Sequence, residues 1–309
     1  MFFIALACLA ASAHAQLAGT AGSFARMGFG ARGMGMANAM TAVTTSEIAG
    51  YYNPAATPFQ TSRTAMLSYG ILSLDRSLNT LVYTQSIKPN AGVSVSIINA
   101  GVKNIDGRDG DGFHTEDYSV SENQFALSFG IRPSPKVAIG VSPKIYYSRL
   151  FKDVSSSSFG VDLGLIYTAS DRLTFGLAVR DVMSKYKWDT STLYGQQGNT
   201  TIDKFPSLRI LGASYVIGNG FGLVSAEIES SNKSTTIVRL GAEANLAEIF
   251  TIRAGLDRWN LKDSKQAAPT FGFTLRTVTG DIRPALHYAY VIESYNYFAM
   301  HILSLSASL

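Results

Sequence analysis

The sequence predicts an all-β fold: a transmembrane antiparallel β-barrel of about fourteen strands, with its own N-terminal segment as a hatch in the lumen. Three observations predict it. Strand-like runs alternate with a period of two almost without a break from Thr64 to the C-terminus. The face that would normally meet a soluble core is free of charge, while the opposite face carries ions beside glycine. Short and long connections alternate along the chain, as periplasmic turns and outer loops must.

Ile237 to Leu256 displays the pattern most openly. Val238, Leu240, Ala242, Ala244 and Leu246 fall on one face, and Arg239, Gly241, Glu243 and Asn245 on the other. Phe250, Ile252, Ala254 and Leu256 then alternate with Thr251, Arg253, Gly255 and Asp257. Too few helical stretches exist to cover these apolar faces. A closed barrel meets the requirement, because lipid covers the apolar face and the ladder satisfies every backbone group. Arginine at Leu240 or Ile252 is therefore expected to harm the barrel more than leucine at Arg239 or Arg253.

Composition agrees. Charged residues make up 16% of the 309, below the usual quarter, with 15 tyrosines, 17 phenylalanines and 28 glycines. No run approaches the length of a membrane-spanning helix. The net charge of +4 is spread without a basic cluster, which excludes nucleic acid as a partner.

Taken in order, residues 1–15 read as a secretory signal, with an apolar core from Phe2 to Ala10 and a small-x-small site at Ala13-His14-Ala15. The only cysteine, Cys8, lies inside it, so the rest of the chain has no thiol for disulfides, nucleophilic catalysis or metal binding. Residues 16–63 form the hatch. They are rich in glycine, alanine and methionine and do not alternate. Gly33 to Thr44 suggests a short helix, and Tyr51-Tyr52-Asn53-Pro54-Ala55 a turn. Residues 64–309 form the barrel, with strands near 64–73, 80–87, 91–102, 122–132, 137–150, 157–168, 173–182, 206–217, 221–230, 235–246, 249–258, 268–277, 282–293 and 297–309. The turns include Lys88-Pro89-Asn90, Pro133-Ser134-Pro135-Lys136, Asn219-Gly220 and Thr279-Gly280-Asp281, and the polar loops 103–121, 183–205 and 259–267. This alternation puts both termini in the periplasm and the barrel in a bacterial outer membrane, in contact with its lipid. Tyr288, Tyr290, Tyr297 and Phe298 suit an interfacial girdle.

The lumen face is expected to carry Lys144, Asp162, Arg180, Glu227, Arg239, Glu243, Arg253, Asp257, Arg276, Arg283 and Glu293. Mixed signs suit an ion-pair network that holds the hatch. No catalytic residue and no cofactor are assigned, since no G-x-S-x-G elbow occurs. Nor is a metal site. His114, His287 and His301 form no H-x-x-x-H pair, and the acidic stretch Asp106 to Asp117 does not follow calcium-loop spacing.

The run Gly30-Ala31-Arg32-Gly33-Met34-Gly35-Met36-Ala37-Asn38-Ala39, then Thr41-Ala42-Val43, then Tyr51-Tyr52-Asn53-Pro54-Ala55-Ala56, resembles the start of the PorV/PorQ family within the FadL-like superfamily. His301-Ile302-Leu303-Ser304-Leu305 resembles that family's last strand. The resemblance implies a fourteen-stranded barrel with a hatch built on Arg32, Gly33, Met34, Gly35, Asn53, Pro54 and Ala55. It also implies a non-enzymatic role in type IX protein secretion, with secretion-system proteins and cargo signal domains as partners. The superfamily implies the alternative of passive transport of small hydrophobic solutes.

Overall fold

In a computed structural model, residues 19–151, 154–259, 267–277, 282–293 and 299–309 are described. The proposed signal, the Thr279-Gly280-Asp281 turn, nearly all of loop 259–267, and Tyr297 and Phe298 of the girdle lie outside them. No described helix is long and apolar enough to cross a membrane, which says nothing against a barrel.

The alternating runs become strands β1 Thr64–Ile71, β2 Arg76–Ile87, β3 Ala91–Arg108, β4 His114–Ser134, β5 Val137–Phe151, β6 Val154–Thr168, β7 Leu173–Val182, β8 Lys185–Asp189, β9 Thr200–Lys204, β10 Leu208–Ile217, β11 Gly222–Ser231, β12 Thr236–Ala247, β13 Phe250–Trp259, β14 Ala268–Arg276, β15 Arg283–Val291 and β16 Met300–Ser308. All but β8 and β9 join one closed antiparallel barrel, in chain order, with β1 sealed against β16. The seam runs from Thr64 opposite Ser308 to Ile71 opposite His301, and backbone bonds between Arg63 and Leu309 extend it. The expected fourteen strands are all present.

The faces are those the alternation predicts. Leu67, Phe125, Phe159, Leu211, Leu240 and Leu305 are exposed on the outer wall, whereas Ser94, Ser128, Arg239, Arg253 and Ser304 are buried within. An apolar outer band around a polar interior is the pattern of a membrane-spanning barrel.

Three sequence expectations need correction. The loop at 103–121 is mostly strand. β3 and β4 run 18 and 21 residues, past a bulge at left-handed Asn104, and turn only at the tip, where Asp109 N–H meets the Phe113 carbonyl at 3.0 Å. The wall is therefore tall at β3–β6 and low at β1, β7 and β16, whose strands are 8, 10 and 9 residues. The loop at 183–205 is a second hairpin, β8–β9, with a short helix, α3 Ser191–Tyr194, at its end. Finally, the helix expected over 33–44 is a single turn, α1 Ala31–Gly35. Ala37 and Asn38 adopt left-handed backbone, and Asn38 N–H returns to the Gly33 carbonyl at 2.8 Å, which closes the helix.

Candidate functional site: the occupied lumen

The inner wall surrounds the chain's own N-terminal segment. Residues 29–43 and 48–58 are almost all buried, and Ala31, Met36, Ala42, Asn53 and Ala55 have no significant exposure. A second turn, α2 Ala49–Tyr52, ends at extended Asn53. The Asn53 side chain accepts the Ala55 N–H at 3.0 Å and so caps the 3₁₀ helix Pro54–Phe59. Its amide donates to Thr41 at 2.9 Å, and to Leu165 on β6 and Leu177 on β7 at 3.2 and 3.4 Å. The turn expected at Asn53-Pro54-Ala55 is thus a clip between segment and wall.

Glycine makes room for it. Gly92, Gly130, Gly140 and Gly164 face one another across β3, β4, β5 and β6. A side chain at Gly92 would overlap Thr57, at Gly130 and Gly140 the Pro54–Ala55 backbone, and at Gly164 the Asn53 amide. Gly176 and Gly212, paired on β7 and β10, lie against Thr41 and Ala42, while paired Gly241 and Gly255 lie against Met36 and Ala37. The glycines noted inside strand patterns form a belt on which the segment backbone rests.

Charges hold the other side. Arg32 grips Glu243 with two bonds, at 2.9 and 3.0 Å, and Arg253 meets the same carboxylate at 2.5 Å. Glu47 lies 4.0 Å from Arg32 and 3.9 Å from His287, whose ring also contacts Thr274 and Ser306 at 2.8 Å. Arg239 joins Glu227, Glu229 and Asp257 at 2.9, 2.9 and 2.7 Å. The segment caps this cluster: Asn38 donates to Asp257 at 3.1 Å and the Thr41 N–H to Glu227 at 3.2 Å. A third cluster places Lys144 between Asp162 and Asp181, at 2.6 and 2.7 Å, while Arg180 stacks 4.3 Å above the Tyr51 ring.

Of the remaining predicted residues, Gly33 lies under the Tyr52 hydroxyl, Gly35 against Gly272, and Met34 is buried in the same core. Arg276 is half-buried and bonds Thr251 at 2.6 Å, Glu293 pairs with Arg76 at 3.2 Å near one rim, and Arg283 is exposed, apart from the clusters. The sequence reading missed Asp181, Glu229 and Glu47. Glu229 shares the parity of Glu227 and was legible from the period of two. Asp181 was not. Left-handed backbone there, opposite a register shift between Val161 and Leu163, turns it inward beside Arg180.

The end with the longer connections is covered. Hairpin β8–β9 folds inward, its Lys185 and Lys187 N–H groups donating to Ser158 and Ser156 at 2.9 and 2.8 Å. It buries Tyr186 and leads into buried Phe205, whose ring packs with both Tyr186 and Tyr146, and Phe24 of the segment also meets Tyr146. A space of about 10 Å³ remains between Arg26, Tyr51, Arg180, Glu227 and Arg239. That is room for roughly one water. Among the described residues, the lumen is filled by a segment held through hydrogen bonds and ion pairs.

Clear of the wall, at the β3–β4 tip, Asp106, His114 and Asp117 converge, all exposed. Arg108 and His114 already bond Asp106 at 2.6 and 2.7 Å. The hydrogen bond from His114, with that from Arg108, holds the Asp106 carboxyl below its ordinary value, and the bond to Asp106 raises the His114 imidazole above its own.

No protein-family model and no curated protein matches the sequence. Solved structures do share the fold. The Ralstonia pickettii toluene transporter TbuX is similar over 91% of this chain and 98% of its own, with 12% identity and a TM-score of 0.64. The Pseudomonas putida toluene transporter TodX is similar over 91% and 96%, with 13% identity and a TM-score of 0.63. A FadL homologue from Pseudomonas aeruginosa covers 90% and 97%, with 12% identity and a TM-score of 0.59.

Proposed function

We propose that this chain is an outer-membrane channel for passive passage of small hydrophobic solutes, with residues 16–63 as its hatch and both termini periplasmic. The observation that carries the reading is the occupied lumen. A barrel built only for rigidity could fill its interior with wall side chains. This one fills it with a separate segment, attached by exchangeable polar contacts and lined by flexible Met34, Met36 and Met40. Such an interior can repack as the segment shifts, and its apolar surface suits hydrocarbon rather than ions. The shared fold with toluene transporters points the same way. The finer PorV/PorQ assignment and its type IX secretion role rest on the motifs of the segment and last strand alone.

The test fixes the hatch. A Cβ at Gly35 of the segment would lie 3.7 Å from the Ala289 Cβ on the wall, so a Gly35→Cys, Ala289→Cys pair would tie the two together. Uptake of labelled toluene by cells with the oxidised pair is expected to fall at least tenfold and to recover on reduction. Equal uptake with the hatch tied, or in a deletion strain, would overturn the channel. Export of proteins bearing the secretion signal domain, measured in the same deletion strain, tests the PorV-type role: a loss there with unchanged toluene uptake would replace the channel reading.

A further inference from the structure

The outer wall is not uniform. On β4, β5 and β6 the outward residues at mid-height are large: Phe125, Leu127, Ile139, Ile145, Phe159 and Leu163 are all exposed. On β10 to β13 they shrink to alanine. Ala213 faces Ala226 across β10 and β11, and Ala242 faces Ala254 across β12 and β13. The two pairs lie diagonally, between Tyr215 and Leu240, and leave an open trough of about 630 Å³ with an almost wholly apolar lining. Beneath it, paired Gly241 and Gly255 leave only ladder backbone between the trough and Met36–Ala37 of the segment.

We propose that the trough holds one acyl chain of a phosphate-bearing membrane lipid, whose headgroup is met by Arg209. The trough belongs to the apolar band that the barrel presents to hydrocarbon. Arg209 is exposed on the same outward face of β10, four residues from Ala213 towards the long-connection end, and has no ion-pair partner among the described residues. That spacing spans about 13 Å of strand, which a lipid with its chain in the trough covers easily. The guanidinium supplies two-pronged recognition of phosphate. A second copy of the chain is the poorer occupant. Its wall would be another convex cylinder, which would bridge a concave trough and leave a void whose lining forfeits contacts. A flexible hydrocarbon chain follows the curve.

The inference needs the barrel to lie in a membrane, not to conduct solutes. The test uses the full chain in nanodiscs containing phosphatidylglycerol with a photoreactive diazirine midway along one acyl chain, and peptide mapping after irradiation. Label is expected on β10–β13 at least fivefold above Leu67 and Leu81 on the β1–β2 wall. Ala226→Phe with Ala242→Phe should bring it down to the level of that wall, with folding checked by heat-modifiable gel migration. Arg209→Gln, which leaves the trough intact, should lower it at least threefold, so the outcome does not hang on the filled variant alone. Even labelling around the wall would overturn the proposal, as would labelling unchanged by both Arg209→Gln and the filled trough. So would a copy-to-copy disulfide in the Ala226→Cys variant with the trough protected from lipid.

Discussion

The two halves of the lumen hold the same segment by opposite means. At one level of β3–β6 the wall presents no side chains, and four glycines receive Asn53 to Thr57 by shape. Along β11–β15 the wall extends long charged side chains, and Arg32, Asn38 and Thr41 are received by Glu243, Asp257 and Glu227. A steric fit has no tolerance and no response to salt. A network of buried charges tolerates displacement poorly for a different reason, because each ion left behind loses its partner in a medium that cannot replace it. The glycine half therefore sets where the segment lies, and the charged half sets what it costs to leave.

The comparison can be broken most forcefully in the charged half. Arg239→Leu strands Glu227, Glu229 and Asp257 together, at a cost of about 3–5 kcal/mol. Leu240→Arg, one residue along and facing lipid, costs about 2–4 kcal/mol. The sequence expectation makes the lumen change the milder one; three stranded carboxylates argue for the opposite order. That expectation allowed water or side-chain partners around Arg239, and the structure puts three carboxylates there. Urea unfolding of both variants in detergent measures the order, and a clearly more stable Arg239→Leu would restore the first view.

Gly140→Leu attacks the steric half. Its side chain would run into the Pro54–Ala55 backbone, with an overpacking cost of about 1–3 kcal/mol. The segment rather than the barrel should yield. Protease should cut between Arg32 and Tyr52 while heat-modifiable migration stays normal, and full protection of the segment would mean the glycine belt does not position it.

A gentler variant sharpens the contrast. Arg32→Gln removes one of two cations on Glu243 and leaves Arg253 in place. Segment release should then depend on ionic strength less than in the parent, whereas Gly140→Leu should leave that dependence unchanged. The smallest effect belongs to neither half. His114 sits at the exposed β3–β4 tip with its folded-state pKa raised by Asp106. Its contribution is present in full below the unfolded value and is lost as pH rises through the folded one. Asp106→Asn should lower the His114 titration midpoint seen by NMR, and an unmoved midpoint would remove the pair.

How much of this was legible before the fold depended on periodicity. Alternation gave the strands, the closed barrel and the inward parity of Arg239, Glu243 and Arg253, because a period of two survives any tilt of the wall. It could not report that Arg32 and Glu243 meet, since they belong to segments with no common period and lie 211 residues apart. It saw recurring glycines but not their alignment, which needs the register of five ladders at once. Asp181 was hidden by a bulge, and the inward fold of β8–β9 by the polar composition of loop 183–205, whose buried members are single residues such as Tyr186 and Phe205.

The seam between β1 and β16 has one further consequence. Its partners are the two ends of the barrel sequence, so this ladder has the least local guidance. The cost of bringing such distant ends together grows only slowly with length, by about 0.6 kcal/mol per doubling. Reach is therefore not the difficulty; choosing among neighbouring offsets is. The Ala31 N–H donates to Ser304 on β16 at 2.9 Å, and Ser304 in turn donates to Ser68 on β1 at 2.8 Å. A slip of one residue would turn Ser304 outward and break both bonds. The enclosed segment thus serves the finished wall as a gauge, against which the closing strand finds its place.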